Sequence, residues 1–192
     1  MTRTVLFIFV FSILIALVGD VHALKTIYLI RHAEKEENWP GDREIHAMHP
    51  LNAVGLARSE RWGDFFAARE GEGSIAAVYA SPTTRCLHTG LPIATRTGAK
   101  LLASEATISV AEMPSFLAGL REEYAAATAV VIVGHSNTVP LLLRALGATE
   151  ECDEALGISE QSYSLGIDGN AGLWIVDLTA KGCAAFTREE LE

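Results

Sequence analysis

The chain has 192 residues, 49% of them hydrophobic and 20% charged, with a formal net charge of −9. That length and apolar share suffice for one domain with a real core and exclude a disordered chain. The acidic balance excludes nucleic acid as a general partner, because nothing basic is available in bulk to neutralise phosphates. An anionic substrate must therefore be met by a local cluster of cations.

At the N-terminus, Arg3 precedes a nearly unbroken apolar run from Val5 to Val18, and Val21-His22-Ala23 has the spacing that signal peptidase reads. The run is shorter than the roughly 20 residues a membrane span needs. Residues 1–23 thus read as a secretory signal peptide cleaved after Ala23. The alternative is an uncleaved membrane anchor. Cleavage leaves residues 24–192 as one exported domain, periplasmic or secreted, with no stable membrane span.

Apolar, β-branched runs follow at 25–30, 75–80, 100–103, 129–134 and 173–178, with a shorter one at 183–187. Helical patterns fall between most of them, the alternation expected of βαβ units and a mainly parallel sheet. Asn52 is placed to cap a helix running to about Arg69. Ser81 as cap and Pro82 at the first helical position start the next one, and Pro92 should kink or end it. Met113, Phe116, Leu117, Leu120 and Tyr124 recur at spacings of three and four, so 112–126 is an amphipathic helix with a core-facing stripe. A further helix runs from about Thr138 to Leu146, with Gly147 as its stop. The last two strands, joined through Ala180-Lys181-Gly182, read as an antiparallel hairpin at a sheet edge. Residues 33–50 lack periodicity and contain Trp39, Pro40, Gly41, His46 and His49, so they read as a loop, or lid, over a site. Of three cysteines, Cys152 and Cys183 form the plausible disulfide of an exported protein, and Cys86 reads as a small buried hydrophobe. No Cys/His spacing suits a structural zinc.

Arg31-His32-Ala33 directly follows the run ending at Ile30, and Gly134-His135-Ser136 directly follows the run ending at Val133. In an open α/β sheet, ligands bind in the crevice outside the carboxyl ends of the strands, so His32 and His135 can converge there beside Arg31. Alone, either histidine is as well read as a satisfied structural one. Arg85 changes the balance, because Ala80-Ser81-Pro82-Thr83-Thr84-Arg85 leaves a strand and enters a helix at the same crevice. Phosphoryl transfer is mostly positioning and electrostatic stabilisation. An arginine fork gives two parallel hydrogen bonds to a phosphate, and a neutral imidazole can hold a phosphoryl group covalently.

Arg31-His32-Ala33-Glu34-Lys35, Ser81-Pro82-Thr83-Thr84-Arg85 with Thr89, and Gly134-His135-Ser136 resemble the three signatures of the histidine phosphatase superfamily, which includes the phosphoglycerate mutases. Pro50-Leu51-Asn52-Ala53-Val54-Gly55 resembles that family's Leu-Thr-x-x-Gly helix start, with Asn52 in place of threonine. The resemblance implies a three-layer α/β sandwich with helices on both faces of the sheet. It makes His32 the phospho-accepting nucleophile, with Arg31, Arg85 and His135 as its phosphate pocket and no metal or organic cofactor. The mutase-type glutamate that protonates the leaving group is not matched clearly; Glu105, Glu112 and Glu34 are the candidates. The acid-phosphatase branch has an aspartate after its second histidine, where Ser136 stands here, so the chain sides with the small single-domain members. His46, His49 and His88 read as surface or structural, and Arg43 and Trp39 as solvated loop residues.

The expected function is an exported phosphatase acting on a small phosphorylated substrate or a phosphoprotein. The alternatives are a phosphomutase of the same family and a catalytically weak phospho-ligand binding module. Substrate identity and oligomeric state are not legible in the sequence.

Overall fold

Side chains at successive positions of a strand point to opposite faces of its sheet, and here that alternation sorts the core into two layers. The computed structural model describes residues 24–37, 39, 48–125, 127–161 and 164–191. The expected signal peptide, Arg43, His46 and half of the expected lid lie outside them. Strands β1 (Thr26–Arg31), β2 (Ile75–Ala80), β3 (Lys100–Ala103) and β4 (Ala129–Gly134) run parallel. Antiparallel β7 (Gly172–Asp177) and β8 (Phe186–Glu190) complete a six-stranded sheet in the order β3-β2-β4-β1-β7-β8.

Ile27, Leu29, Tyr79, Val130 and Ile132 belong to one core, with Leu117 and Leu120 of helix α3 (Met113–Glu123) and Val139, Leu142 and Leu143 of α4 (Thr138–Ala145). Their strand neighbours Tyr28, Ile30, Val78, Val131 and Val133 belong to the other. That core is completed by Trp62 and Phe66 of α1 (Ala53–Glu70) and Cys86 and Ile93 of α2 (Thr84–Thr97). The result is the expected three-layer α/β sandwich. β4 is buried at all six positions, which is why its sequence is a continuous apolar run rather than an alternating one.

Register brings the strand ends level: Arg31 pairs with Gly134, and Ala80 with Val133. The residues that follow three of the parallel strands therefore share one edge of the sheet. The start of α1 is tied to the same edge. Asn52 Oδ1 accepts the Gly55 N–H at 2.9 Å, and the Asn52 N–H donates to the Glu34 carbonyl at 3.0 Å. A Cβ on Gly55 would lie 2.1 Å from that carbonyl oxygen, so only glycine fits where the helix crosses the exit of β1.

Several local expectations need correction. Helix α2 starts at Thr84 with Thr83 as its cap residue, not at Ser81-Pro82. The Thr83 N–H donates to the Ser81 carbonyl at 2.7 Å, closing a turn ahead of the helix. Pro92 does not end α2, which continues to Thr97. Burial of Ile93, Ala94 and Thr97 holds the last turn in place, and His88, whose carbonyl a proline at 92 leaves without its helical donor, is exposed. The expected strand at 183–187 is a 3-10 turn over Gly182–Ala185 followed by β8. The edge hairpin itself is as expected, since β7 and β8 pair antiparallel. A second hairpin, β5 (Ile158–Gln161) with β6 (Ser164–Ile167), was not anticipated; its strands are four residues each and too short to stand out as apolar runs. It follows the one-turn helix α5 (Asp153–Leu156) and is fastened to the loop after β4, where the Ile167 N–H donates to the Ser136 carbonyl at 3.0 Å.

Cys152 and Cys183 are joined as a disulfide, and Cys86 is a buried free thiol. The bridge ties the 3-10 turn Glu150–Cys152 to the turn before β8 and closes a loop of 31 residues. Chain-entropy reasoning gives such a crosslink roughly 3 to 4 kcal/mol. Replacing both cysteines by serine is expected to lower Tm by roughly 10 °C. Thermal melts of the variant and of the wild type with and without reductant measure this, and coincident melts would show that the crosslink adds nothing. Among the described residues no helix is long and apolar enough to cross a membrane.

Candidate active site

The level strand ends open onto a pocket of about 490 Å³ whose lining includes Arg31, His32, Lys35, Arg85, His135 and Asn137. No carboxylate contributes to that lining among the described residues. Arg31 and His32 arrive at the end of β1, Arg85 in the first turn of α2, and His135 directly after β4. The four residues singled out in the sequence thus meet on one edge.

His32 is 4% exposed, and its position is fixed from several sides. Its backbone N–H donates to the Gly134 carbonyl at 2.9 Å, and its own carbonyl accepts from Asn170 Nδ2 at 2.7 Å. The next residue is held as well: the Ala33 N–H donates to Thr89 Oγ1 at 2.9 Å, and the Thr89 hydroxyl donates to the Arg85 carbonyl at 2.8 Å. Thr89 therefore links the loop after His32 to the helix that carries Arg85.

The ring of His32 has only one arrangement of its proton that suits its partners. Nδ1 lies 2.7 Å from the Ala33 carbonyl, which can only accept, so Nδ1 carries the hydrogen. Nε2 is then a lone pair, and it accepts from Arg85 Nε at 3.2 Å. Burial pushes the pKa of His32 down to about 3, with the positive charges of His135, Arg85 and Arg31 adding to the effect against the Ala33 hydrogen bond. At neutral pH the group is an uncharged imidazole with Nε2 available as a nucleophile.

The His135 ring lies 5.2 Å from that of His32, centroid to centroid, at an interplanar angle of 69°. Arg85 sits between the two, with its terminal nitrogen 3.3 Å from His135 Nδ1. The His135 N–H donates to Thr138 Oγ1 at 2.8 Å, and a Cβ on Gly134 would meet that same hydroxyl at 2.8 Å. This is the physical reason for glycine before the histidine. Arg31 donates to the Gly169 carbonyl at 3.0 Å. Burial lowers its pKa, with the carboxylates of Asp168, Glu34 and Glu37 opposing.

Two of the three candidate proton donors are placed elsewhere, and the third, Glu34, lines an adjoining pocket with Arg31 and His32. Glu105 and Glu112 are exposed and do not line the pocket. Glu34 is close, but Arg58 grips it with three hydrogen bonds of 2.6 to 3.0 Å. Burial alone would raise its pKa, yet the Arg58 guanidinium outweighs that and holds the carboxyl below its ordinary value. Such a group is a carboxylate at neutral pH and has no proton to give. His88 is exposed, and His49 Nδ1 lies 3.2 Å from the Glu36 carbonyl. Trp39 is 40% exposed.

Sequence reasoning missed Asn170, Gly169 and the role of Ser81. The segment 168–170 reaches the site only because β7 lies beside β1, and no local motif signals that adjacency.

An uncharged, hydrogen-bonded imidazole among three cationic or cation-forming groups, at the carboxyl edge of a parallel sheet, is suited to capturing a phosphoryl group. The model of branch 1 of the histidine phosphatase superfamily matches residues 27–109 of the chain. No curated protein matches the sequence. Among solved structures, a proposed phosphohistidine phosphatase SixA from Agrobacterium tumefaciens superposes with a TM-score of 0.60 at 22% identity, covering 88% of this chain and 96% of that one. The protein histidine phosphatase SixA in complex with tungstate gives 0.56 at 15% identity, covering 85% and 94%. A mycobacterial glucosyl-3-phosphoglycerate phosphatase gives 0.59 at 12% identity, covering 86% and 96%. At these identities the likeness establishes the fold.

Proposed function

We propose that the mature chain is an exported phosphatase that works through a phosphohistidine on His32 Nε2. The observation that carries this reading is the proton arrangement of His32, with Nδ1–H held by the Ala33 carbonyl and Nε2 unprotonated toward the pocket. The phosphoryl group docks against Arg31, Arg85 and His135, and Nε2 attacks phosphorus as the bond to the leaving group breaks. Water then attacks the phosphohistidine, releasing inorganic phosphate and restoring Nε2. Opposite charge from the two arginines stabilises the equatorial oxygens throughout.

The leaving group narrows the substrate. With no carboxylate among the described lining residues and Glu34 locked to Arg58, departure without protonation by a side-chain acid is favoured. That suits leaving groups that bring their own proton, such as the imidazole of a phosphohistidine protonated from solvent on its other ring nitrogen, over alkoxides. The likeness to the two SixA structures supports the same class. Export is supported by the apolar leader and by the disulfide, which persists in oxidising compartments.

The test mixes the protein from Lys25 onward with a radiophosphorus-labelled aryl phosphate, quenches in denaturant, and compares label retention in base and in acid. A label stable to base, lost in acid and discharged to inorganic phosphate is expected. Discharge to an added alcohol in preference to water would instead indicate a mutase. Absence of both label and turnover, with aryl phosphate and with a phosphohistidine peptide, would indicate a binding module.

A further inference from the structure

Ser81 has a hydroxyl that its place in the chain does not explain. The sequence offers it as a helix cap, yet the cap residue of α2 is Thr83. Ser81 is completely buried, and its Oγ lies 2.9 Å from Nε2 of His135. The opposite ring nitrogen, Nδ1, faces the Arg85 guanidinium at 3.3 Å. A guanidinium can only donate. A hydrogen on Nδ1 of the neutral ring would set two donors against each other, so the hydrogen belongs on Nε2, with Ser81 Oγ as its acceptor.

We propose that Ser81 is the positioning residue for His135: its buried hydroxyl accepts the Nε2 hydrogen and so turns Nδ1 toward the phosphoryl pocket. Cys86 Sγ lies 3.7 Å from the same Nε2 and donates to the Gly134 carbonyl at 3.6 Å. The same carbonyl accepts the backbone N–H of His32. Cys86 thus touches both the ring of His135 and the carbonyl that holds the backbone of His32.

The consequence appears when a phosphorylated substrate enters. His135 takes a proton from solvent on Nδ1, while Nε2–H stays on Ser81. The new Nδ1–H and the Arg85 N–H then point at the same spot, and only an anionic oxygen between them satisfies both. Among the described residues, the titratable and charged groups facing His135 are the neutral His32 at the end of β1 and Arg85 in α2, with Arg31 beyond them and the Cys86 thiol beside the ring. All the charges among these are positive and oppose protonation. An acceptor on Nε2 works the other way, since a hydrogen bond from the charged ring is stronger than one from the neutral ring. Ser81 therefore raises the affinity of His135 for its proton.

This inference rests on the reading that His135 faces the phosphoryl group, and the experiment separates the two. In nitrogen-15-labelled protein at neutral pH, imidazole spectra should show His135 protonated on Nε2 and His32 on Nδ1, assigned by the loss of each in His32→Ala and His135→Ala. That measurement needs no turnover. Ser81→Ala should then lower kcat roughly tenfold to a hundredfold with little change in KM. It should also move the alkaline limb of the pH profile to lower pH, and Ser81→Thr should restore both. A wild-type His135 protonated on Nδ1 would overturn the proposal, as would a folded Ser81→Ala with unchanged tautomer and pH limb. Should Ser81→Ala not fold, the wild-type tautomer decides. Full activity in His135→Ala would sink the reading of the site instead, leaving the tautomer result standing.

Discussion

Substitution of His32 by alanine is expected to lower phosphatase turnover by roughly ten thousand-fold or more, and to remove the base-stable phospho-label altogether. The magnitude follows from the loss of the only atom placed to attack. Nε2 of His32 is unprotonated because Nδ1 holds the hydrogen against the Ala33 carbonyl. The neighbouring imidazole of His135, proposed above to carry a proton on Nδ1 once substrate is bound, then has no lone pair with which to take over. A steady-state assay with an aryl phosphate, beside the labelling experiment, checks both halves of the claim; residual turnover near wild type would exclude His32 as nucleophile.

The same variant carries a pH signature. The unfolded chain protonates a histidine as pH falls through its ordinary value of 6.5, whereas the folded protein holds His32 neutral down to about 3, chiefly through burial. The unfolded state thus binds more protons across that window. The stability conferred by a neutral His32 is complete above pH 6.5 and is lost progressively as pH falls toward 3. His32→Ala should flatten the decline of Tm on acidification over this range. Parallel slopes in the two proteins would contradict the depressed pKa.

Arg85 should give the second large effect. Its Nε and a terminal nitrogen donate to His32 and His135 at 3.2 and 3.3 Å, so one planar fork spans both imidazoles. Lysine keeps the charge but offers a single point of donation on a flexible stem. Arg85→Lys is expected to lower kcat/KM by roughly a hundredfold to a thousandfold, with alanine as bad or worse. Thermal stability should change far less than activity in the lysine variant. Activity in Arg85→Lys within a few-fold of wild type would mean that charge alone suffices, and that the fork geometry is incidental.

The sequence alone determined the α/β class, the parallel core strands and the four residues of the pocket. It could do so because each of these is local. A strand buried on both faces must be a continuous apolar run, as Ala129–Gly134 is. A side chain directly after such a strand must sit at the sheet's carboxyl edge, as His32 and His135 do. Asn52 and Gly55 carry their constraint within four consecutive positions: a cap oxygen, and a missing Cβ where the Glu34 carbonyl passes. The Cys152–Cys183 pairing was also legible, as the plausible combination of three cysteines in a chain whose leader reads as a signal peptide.

What only the tertiary structure decided depends on which strands are neighbours. Asn170 and Gly169 reach His32 and Arg31 because β7 lies antiparallel to β1, a pairing across some 140 positions of chain that no local pattern encodes. Glu34 looked like a proton donor beside the nucleophile until Arg58 of α1 was found to hold it ionised. Ser81 looked like a helix cap until the fold placed the ring of His135 2.9 Å from its hydroxyl. Each reversal has one physical reason. Residue type and position fix what a side chain can do, but its protonation state and its partner are set by the groups that folding brings within hydrogen-bond distance, and those come from other strands and helices.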